Sequence, residues 1–115
     1  MTTTKAEEFL TLLPTRRLGA VAGHYKRVLK LFGRRGQHWT QRTYEHHGNY
    51  CMLGASYAVN GVGETPAIML LNKYLQTGVI SFNDRQCRVF TDIKDVYDKL
   101  IKLVKNEKKR RSKEK

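Results

Sequence analysis

The sequence predicts a mainly helical α+β domain: a compact single-domain helical fold with one small β-hairpin and a basic C-terminal tail. Three observations carry this. The chain has 115 residues, 40% of them apolar, enough for one modest core. Apolar residues recur in steps of three and four over three long segments, the pattern of helices buried along one face. Between the first two of these, β-forming residues flank a His-Gly-Asn turn. The globular domain is expected over residues 1–105, with residues 106–115 as a flexible, basic extension.

Taken in order, Thr4 with Glu7 has the spacing of a capping box, which predicts a short helix starting there and carrying Phe9, Leu10, Leu12 and Leu13. Pro14 interrupts it, because proline inside a helix loses a hydrogen bond and clashes with the preceding turn. Leu18, Val21, Ala22, Tyr25, Val28, Leu29 and Phe32 then form one apolar stripe, and Gly33 is placed to end that helix. Gly19 and Gly23 lie inside it, each costing around 1 kcal/mol against alanine; they are expected to allow close packing with another helix. "QRTYEHHGNYCML" reads as the hairpin, and "LGASYAVNG" as a short buried helix closed by Asn60-Gly61. Thr65 before Pro66 predicts a capped helix with Ile68, Leu71, Tyr74 and Leu75 as its apolar face and Gly78 as its stop. Thr91 is expected to cap the last helix, whose stripe is Ile93, Val96, Tyr97, Leu100, Leu103 and Val104. Asp95 with Lys99 and Asp98 with Lys102 have the spacing of favourable charge pairs on its outer face.

Charge is the strongest global signal. The formal net charge is +12, and between Phe9 and Tyr44 there is no Asp or Glu at all. Arg16, Arg27, Lys30 and Arg34 fall off the apolar stripe, so the second helix is expected to carry a basic outer face that continues through Arg35 and Arg42. Lys108, Lys109, Arg110 and Arg111 open a second basic run. Such segregation favours a polyanionic partner, nucleic acid or a nucleoprotein complex, over a merely solvated surface. No apolar run approaches the roughly 18 residues of a membrane span and no secretion signal is evident, so a cytoplasmic protein with no membrane contact is expected.

The chemistry-bearing residues argue against an enzyme. His38, His46, His47, Cys51 and Cys87 could ligate zinc, but no Cys-x-x-Cys or His-x3-His spacing occurs, and His46 and His47 would face opposite ways on a strand. No metal and no cofactor are expected. Cys51 reads as a small buried hydrophobe and Cys87, beside Arg88, as the more reactive of the two thiols. Glu45, Glu64 and Asp84 are the only acids between Glu8 and Asp92, which leaves little for acid–base catalysis. No phosphate loop is present. Trp39, Tyr44 and Tyr50, interleaved with Arg42 and His46, are residue types that stack on unpaired bases; Trp39, the single tryptophan, reads more readily as core. Asn83 and Asp84 read as a turn, or as a loop that presents them with Arg88 to a ligand.

Several of these residues also form a pattern. Trp39 in "HWTQ", Cys51, Gly54 and Ala55 in "GNYCMLGASYAV", and Asn83, Asp84, Arg88, Val96 and Asp98 further on together resemble a family of small uncharacterised domains of bacteria and their phages. That family has a Gly-Trp motif after its first helix, a Cys-x-x-Gly-Ala-Leu segment, a Trp-Asn-Asp turn and an Arg-Thr pair before a final helix. The resemblance spans residues 25–104. It departs at His38, which stands for the glycine, at Phe82, which stands for the second tryptophan, and at the two residues separating Arg88 from Thr91. It implies an accessory protein of bacterial or phage origin, with Trp39, Cys51 and the Asn-Asp turn as shared architecture and no particular activity.

The leading expectation is a non-enzymatic binder of nucleic acid, DNA or RNA, through Arg16, Arg27, Lys30, Arg34, Arg35, Arg42 and Lys108 to Arg111. A possible partner surface adds Trp39, Tyr44, His46, His47, Asn83, Asp84 and Arg88. The alternatives are a phage-type inhibitor docking on an acidic surface of a host protein, and a small enzyme dependent on metal or on Cys and His.

Overall fold

In the computed structural model, which describes residues 2–59 and 64–113, six helical segments surround one core and a two-stranded hairpin closes one side. Helix α1 spans Thr2–Leu12 and α2 Thr15–Phe32; strands β1 (Glu45–His46) and β2 (Asn49–Tyr50) pair antiparallel; α3 is Met52–Val59, α4 Glu64–Leu75, α5 the single turn Val79–Ser81, and α6 Phe90–Lys113. A π-helical turn, Phe82–Gln86, follows α5. The mainly helical class with a small hairpin is thus the architecture observed.

Helix α2 supplies the centre. Leu18, Val21, Tyr25, Val28 and Phe32 are fully or almost fully buried, and α6 packs antiparallel against them through Ile93, Tyr97, Leu100 and Val104. Pro14 precedes α2, and Gly33 ends it with its N–H on the carbonyls of Leu29 and Lys30. An aromatic ladder runs outward from this core: Tyr25 against Tyr97 at 5.5 Å between ring centroids, Phe32 against Phe90 at 5.6 Å, and Phe90 against Trp39 at 6.2 Å. Such pairs are worth about 0.5–1.5 kcal/mol each beyond their buried area. The Tyr25 hydroxyl donates to the Ala67 carbonyl at 2.6 Å, which ties α4 to α2.

The hairpin turn is built by His47 and Gly48, both at positive φ (51° and 80°). That is the twist two antiparallel strands require of a two-residue turn. The Glu45 carboxylate accepts the Gly48 N–H at 2.7 Å and closes the turn.

Several local expectations are corrected. Helix α1 begins at Thr2, so Thr4 lies inside it; Leu12 is 83% exposed, because Ala6 and Leu10 are the residues that turn inward. Gly19 and Gly23 do not bring the backbone of another helix close: only the ends of flexible side chains, the Lys108 amine of α6 and the Arg27 guanidinium, are what a Cβ would meet there. Helix α4 stops at Leu75 with Gln76 left-handed (φ 58°), three residues before the glycine expected to stop it. Asn60-Gly61 lies outside the described residues.

Helix α6 starts at Phe90 rather than being capped by Thr91; the Asp92 carboxylate instead accepts the backbone N–H groups of Arg88 and Val89 at 2.9 and 3.3 Å. These bonds hold its carboxyl below the usual range. On the outer face the ion pair that forms is Lys94 with Asp98, 2.7 Å, in place of Asp95–Lys99 and Asp98–Lys102.

The C-terminal run is helical through Lys113, where a flexible tail was expected. The physical reason is a knot around Glu107, which is 8% exposed. Arg110 grips it through Nε (3.1 Å) and Nη2 (2.6 Å), and Arg111 Nε donates to it at 2.7 Å. The remaining Arg111 nitrogens donate to Thr15 Oγ1 at 3.0 Å and to the Leu10 and Thr11 carbonyls at 2.7 and 3.3 Å. The last turn of α1 has carbonyls without intrahelical partners, and a guanidinium satisfies them while matching the helix dipole. The two guanidiniums, Arg110 foremost, keep the Glu107 carboxyl below its ordinary range.

Candidate nucleic-acid interface

At 100° per residue, Arg16, Arg27 and Lys30 fall within about 60° of one another on α2 and span about 21 Å of its length. All three are exposed, and Arg34 and Arg35 continue the charge into the turn that follows. The bare backbone of Gly19 lies beneath the Lys108 amine, which sits 3.7 Å from where a Cβ would be. The antiparallel packing of α6 therefore carries part of the second basic run to the flank of the first.

On the other flank a shallow groove of about 660 Å³ opens between α2, the hairpin and the end of α3. Arg27, Lys30 and Leu31 form one wall; His38, Gly48 and Tyr50 form the other, with Val59 at the end. His38 is held by its ring nitrogen against the Asn49 side-chain oxygen, 3.3 Å. Lys102, Lys105, Lys108 and Lys109 line a further cleft of about 440 Å³ on the outward side of α6.

The partner-surface residues divide sharply. Asn83 is fully buried and cannot meet a ligand. It is a hub: its Oδ1 accepts the Trp39 indole N–H at 2.9 Å and the Met52 backbone N–H at 3.0 Å. Its Nδ2 donates to the Thr40 carbonyl (3.1 Å) and to Asp84 Oδ1 (2.9 Å). The Gln41 amide reaches the Asn83 and Cys87 carbonyls at 2.7 and 3.1 Å, and the Arg42 N–H donates to Asp84 Oδ1 at 2.8 Å. Asn83 thus caps the first turn of α3 from a distant segment, while Cys51 Sγ accepts the Gly54 N–H at 3.3 Å. Trp39 is bound into the same knot, half-buried, and is no free stacking platform.

Gly54 explains why this knot needs its neighbour. A Cβ there would stand 1.9 Å from the Tyr44 carbonyl oxygen, so only glycine lets the hairpin approach α3. Trp39, Cys51, Gly54, Asn83 and Asp84, scattered over some 45 residues of chain, meet here.

Tyr44, His46, His47 and Arg88 stay exposed. The two histidines do not face apart, because His47 belongs to the turn; their ring centroids are 4.1 Å apart. Among the described residues no three His, Cys, Asp or Glu side chains are grouped to hold a metal. Cys87 is 5% exposed, and burial, with Asp92 nearby, pushes its thiol up to about 12, so it is the opposite of a reactive thiol. Arg42 lies away from α2 and lines a separate cavity with Asp84. Arg111 is consumed by the Glu107 knot, its side chain only 17% exposed, and leaves the set of available cations. Nothing in the local sequence marks Glu107 as its partner beyond an ordinary four-residue spacing.

No family model matches the chain, and no curated protein and no solved structure shows significant similarity to it. Among the described residues no helix is long and apolar enough to cross a membrane.

Proposed function

We propose that the protein is a non-enzymatic binder of nucleic acid that holds the phosphate backbone along the outer face of α2. One observation carries the reading. Three exposed cations of an acid-free stretch, Arg16, Arg27 and Lys30, gather on one ridge, and Arg27 and Lys30 from that ridge form a wall of the groove beside the hairpin. A ridge of this kind displaces condensed counter-ions from a polyanion, so affinity comes from charge and falls steeply with salt. The half-buried Tyr50 and the exposed His38 opposite add polar and aromatic contact at the groove's second wall.

The test is fluorescence anisotropy with a labelled oligonucleotide across a salt series. Affinity is expected to fall at least tenfold between 50 and 200 mM salt, on the order set by several phosphate contacts. Arg16→Ala, Lys30→Ala and Arg34→Ala should each lower the salt slope by about 1. Salt-independent binding, or variants indistinguishable from the parent, would overturn the proposal.

A further inference from the structure

A separate cavity lies where the segment leading into the hairpin meets α5 and the π-helical turn. It measures about 290 Å³ and is lined by Arg42, Thr43, Tyr44, Cys51, Ile80 and Asp84. Its walls are chemically unlike. Tyr44 is 54% exposed and rests edge-on against Tyr57, itself 55% exposed, with ring centroids 6.4 Å apart. Ile80 adds apolar surface at 41% exposure. Two neighbouring tyrosines and an isoleucine thus leave aromatic and aliphatic surface open beside the cavity.

Facing this aromatic and aliphatic surface is a carboxylate held in one orientation. Asp84 Oδ1 accepts both the Arg42 N–H and the Asn83 amide, so it is saturated. Oδ2 has no partner among the described residues and belongs to a side chain lining the cavity. An ionised carboxylate only accepts hydrogen bonds, so a ligand must present a donor to it. Beside it stands the exposed Arg42 guanidinium, on a backbone turned to φ 68°.

We infer that this cavity takes one unpaired nucleobase bearing an exocyclic amino group, from the same nucleic acid that the α2 ridge holds. The inference rests on the nucleic-acid reading above. Tyr44 offers the face on which the base stacks, Asp84 Oδ2 accepts its amino N–H, and Arg42 meets the adjoining phosphate. The ligand's planarity suits the ring, its donor suits the carboxylate, and its anionic link suits the guanidinium. A base with a carbonyl in place of the amino group, such as uracil, sets oxygen against oxygen at Asp84 and must shift to offer its ring N–H instead, so it binds more weakly. The cavity volume is ample for one base. The site therefore acts on single-stranded segments, since a base stacked within a duplex has no free face to lay on Tyr44.

The experiment compares short labelled oligo-dC and oligo-dU at pH 7.5 by anisotropy, two ligands with equal charge that differ only in that edge. Oligo-dC is expected to bind at least fivefold more tightly. Tyr44→Ala, which leaves the backbone carbonyl that accepts the Cys51 N–H at 3.3 Å, should weaken oligo-dC binding about tenfold. Asp84→Asn, whose amide both donates and accepts, should erase the preference; an unchanged melting temperature certifies that its fold survives. Equal affinity for the two oligonucleotides, together with Tyr44→Ala binding like the parent, overturns the cavity proposal and leaves the basic ridge standing if the salt slope persists. Failure of both oligonucleotides to bind at low salt overturns both.

Discussion

Replacing Asn83 by alanine is the most informative single change to the fold. The substitution removes an acceptor shared by the Trp39 indole and the Met52 N–H, and a donor to the Thr40 carbonyl and Asp84. Asn83 is fully buried, so the stranded groups do not regain water unless the knot opens. A buried donor or acceptor left unmet costs about 1–3 kcal/mol. Two donors and a carbonyl, with some relaxation, make the expected loss on the order of 3–5 kcal/mol. A chain of this length has roughly 6–17 kcal/mol in total, at about 0.05–0.15 kcal/mol per residue, so the variant should be visibly marginal. Asn83→Asp keeps the Oδ1 acceptor but sets a second carboxylate against Asp84, where a 2.9 Å hydrogen bond stood; it should be at least as damaging at pH 7 and partly recover in acid. Urea unfolding followed by fluorescence suits both, because Trp39 is the only tryptophan and sits in the knot. Circular dichroism in parallel separates local opening from global unfolding. An Asn83→Ala protein within about 0.5 kcal/mol of the parent, with unshifted Trp39 emission, would show that the network is dispensable and refute the reasoning.

Three further outcomes are expected. Gly54→Ala places a methyl 1.9 Å from the Tyr44 carbonyl, so the hairpin must shift from α3; a loss of several degrees in melting temperature and a changed Trp39 emission should follow, whereas Gly48→Ala, with open space around it, should cost only turn strain. Arg111→Ala uncaps α1 and strips one partner from the nearly buried Glu107, an expected loss of about 2 kcal/mol by chemical denaturation; Lys109→Ala, exposed and outside the knot, should stay within about 0.5 kcal/mol. His24 is fully buried on α2, and neither ring nitrogen has a partner among the described residues; burial, with Arg27 nearby, lowers it to about 4 from the ordinary 6.5. Below pH 6.5 the unfolded chain then takes up a proton that the folded chain refuses, so stability is full above that pH and is lost as pH falls from 6.5 towards 4. The loss by pH 5 should be on the order of 1–2 kcal/mol, and His24→Leu should flatten that part of a melting-temperature profile; a profile identical in parent and variant would contradict the assignment.

Deletion is constrained by the same structure. Ending the chain after Glu107 would remove both guanidiniums that neutralise it, together with the cap on α1. A truncated protein therefore confounds lost charge with lost structure, and single substitutions on the α2 ridge are the cleaner probe.

Periodicity by itself determined the helical class, the α2 stripe from Leu18 to Phe32, the stop at Gly33 and the inward face of α6, because each depends on residues within a turn or two of one another. The hairpin was legible for the same reason: the turn residues His47 and Gly48 lie between their own strands. The basic ridge could be read as well, since helical spacing places Arg16, Arg27 and Lys30 together whatever they pack beside. What each exposed-looking polar residue does was decided only in three dimensions. Asn83 finds Trp39 across 44 positions and Met52 across 31, and Arg111 finds Leu10 across 101. Such pairings are chosen by which helix ends are left with unmet backbone groups once the core has packed, and no local pattern encodes that. The cavity between Tyr44 and Asp84 has the same origin: its walls are brought together by the antiparallel hairpin, the glycine that lets it approach α3, and the π-helical turn beyond α5.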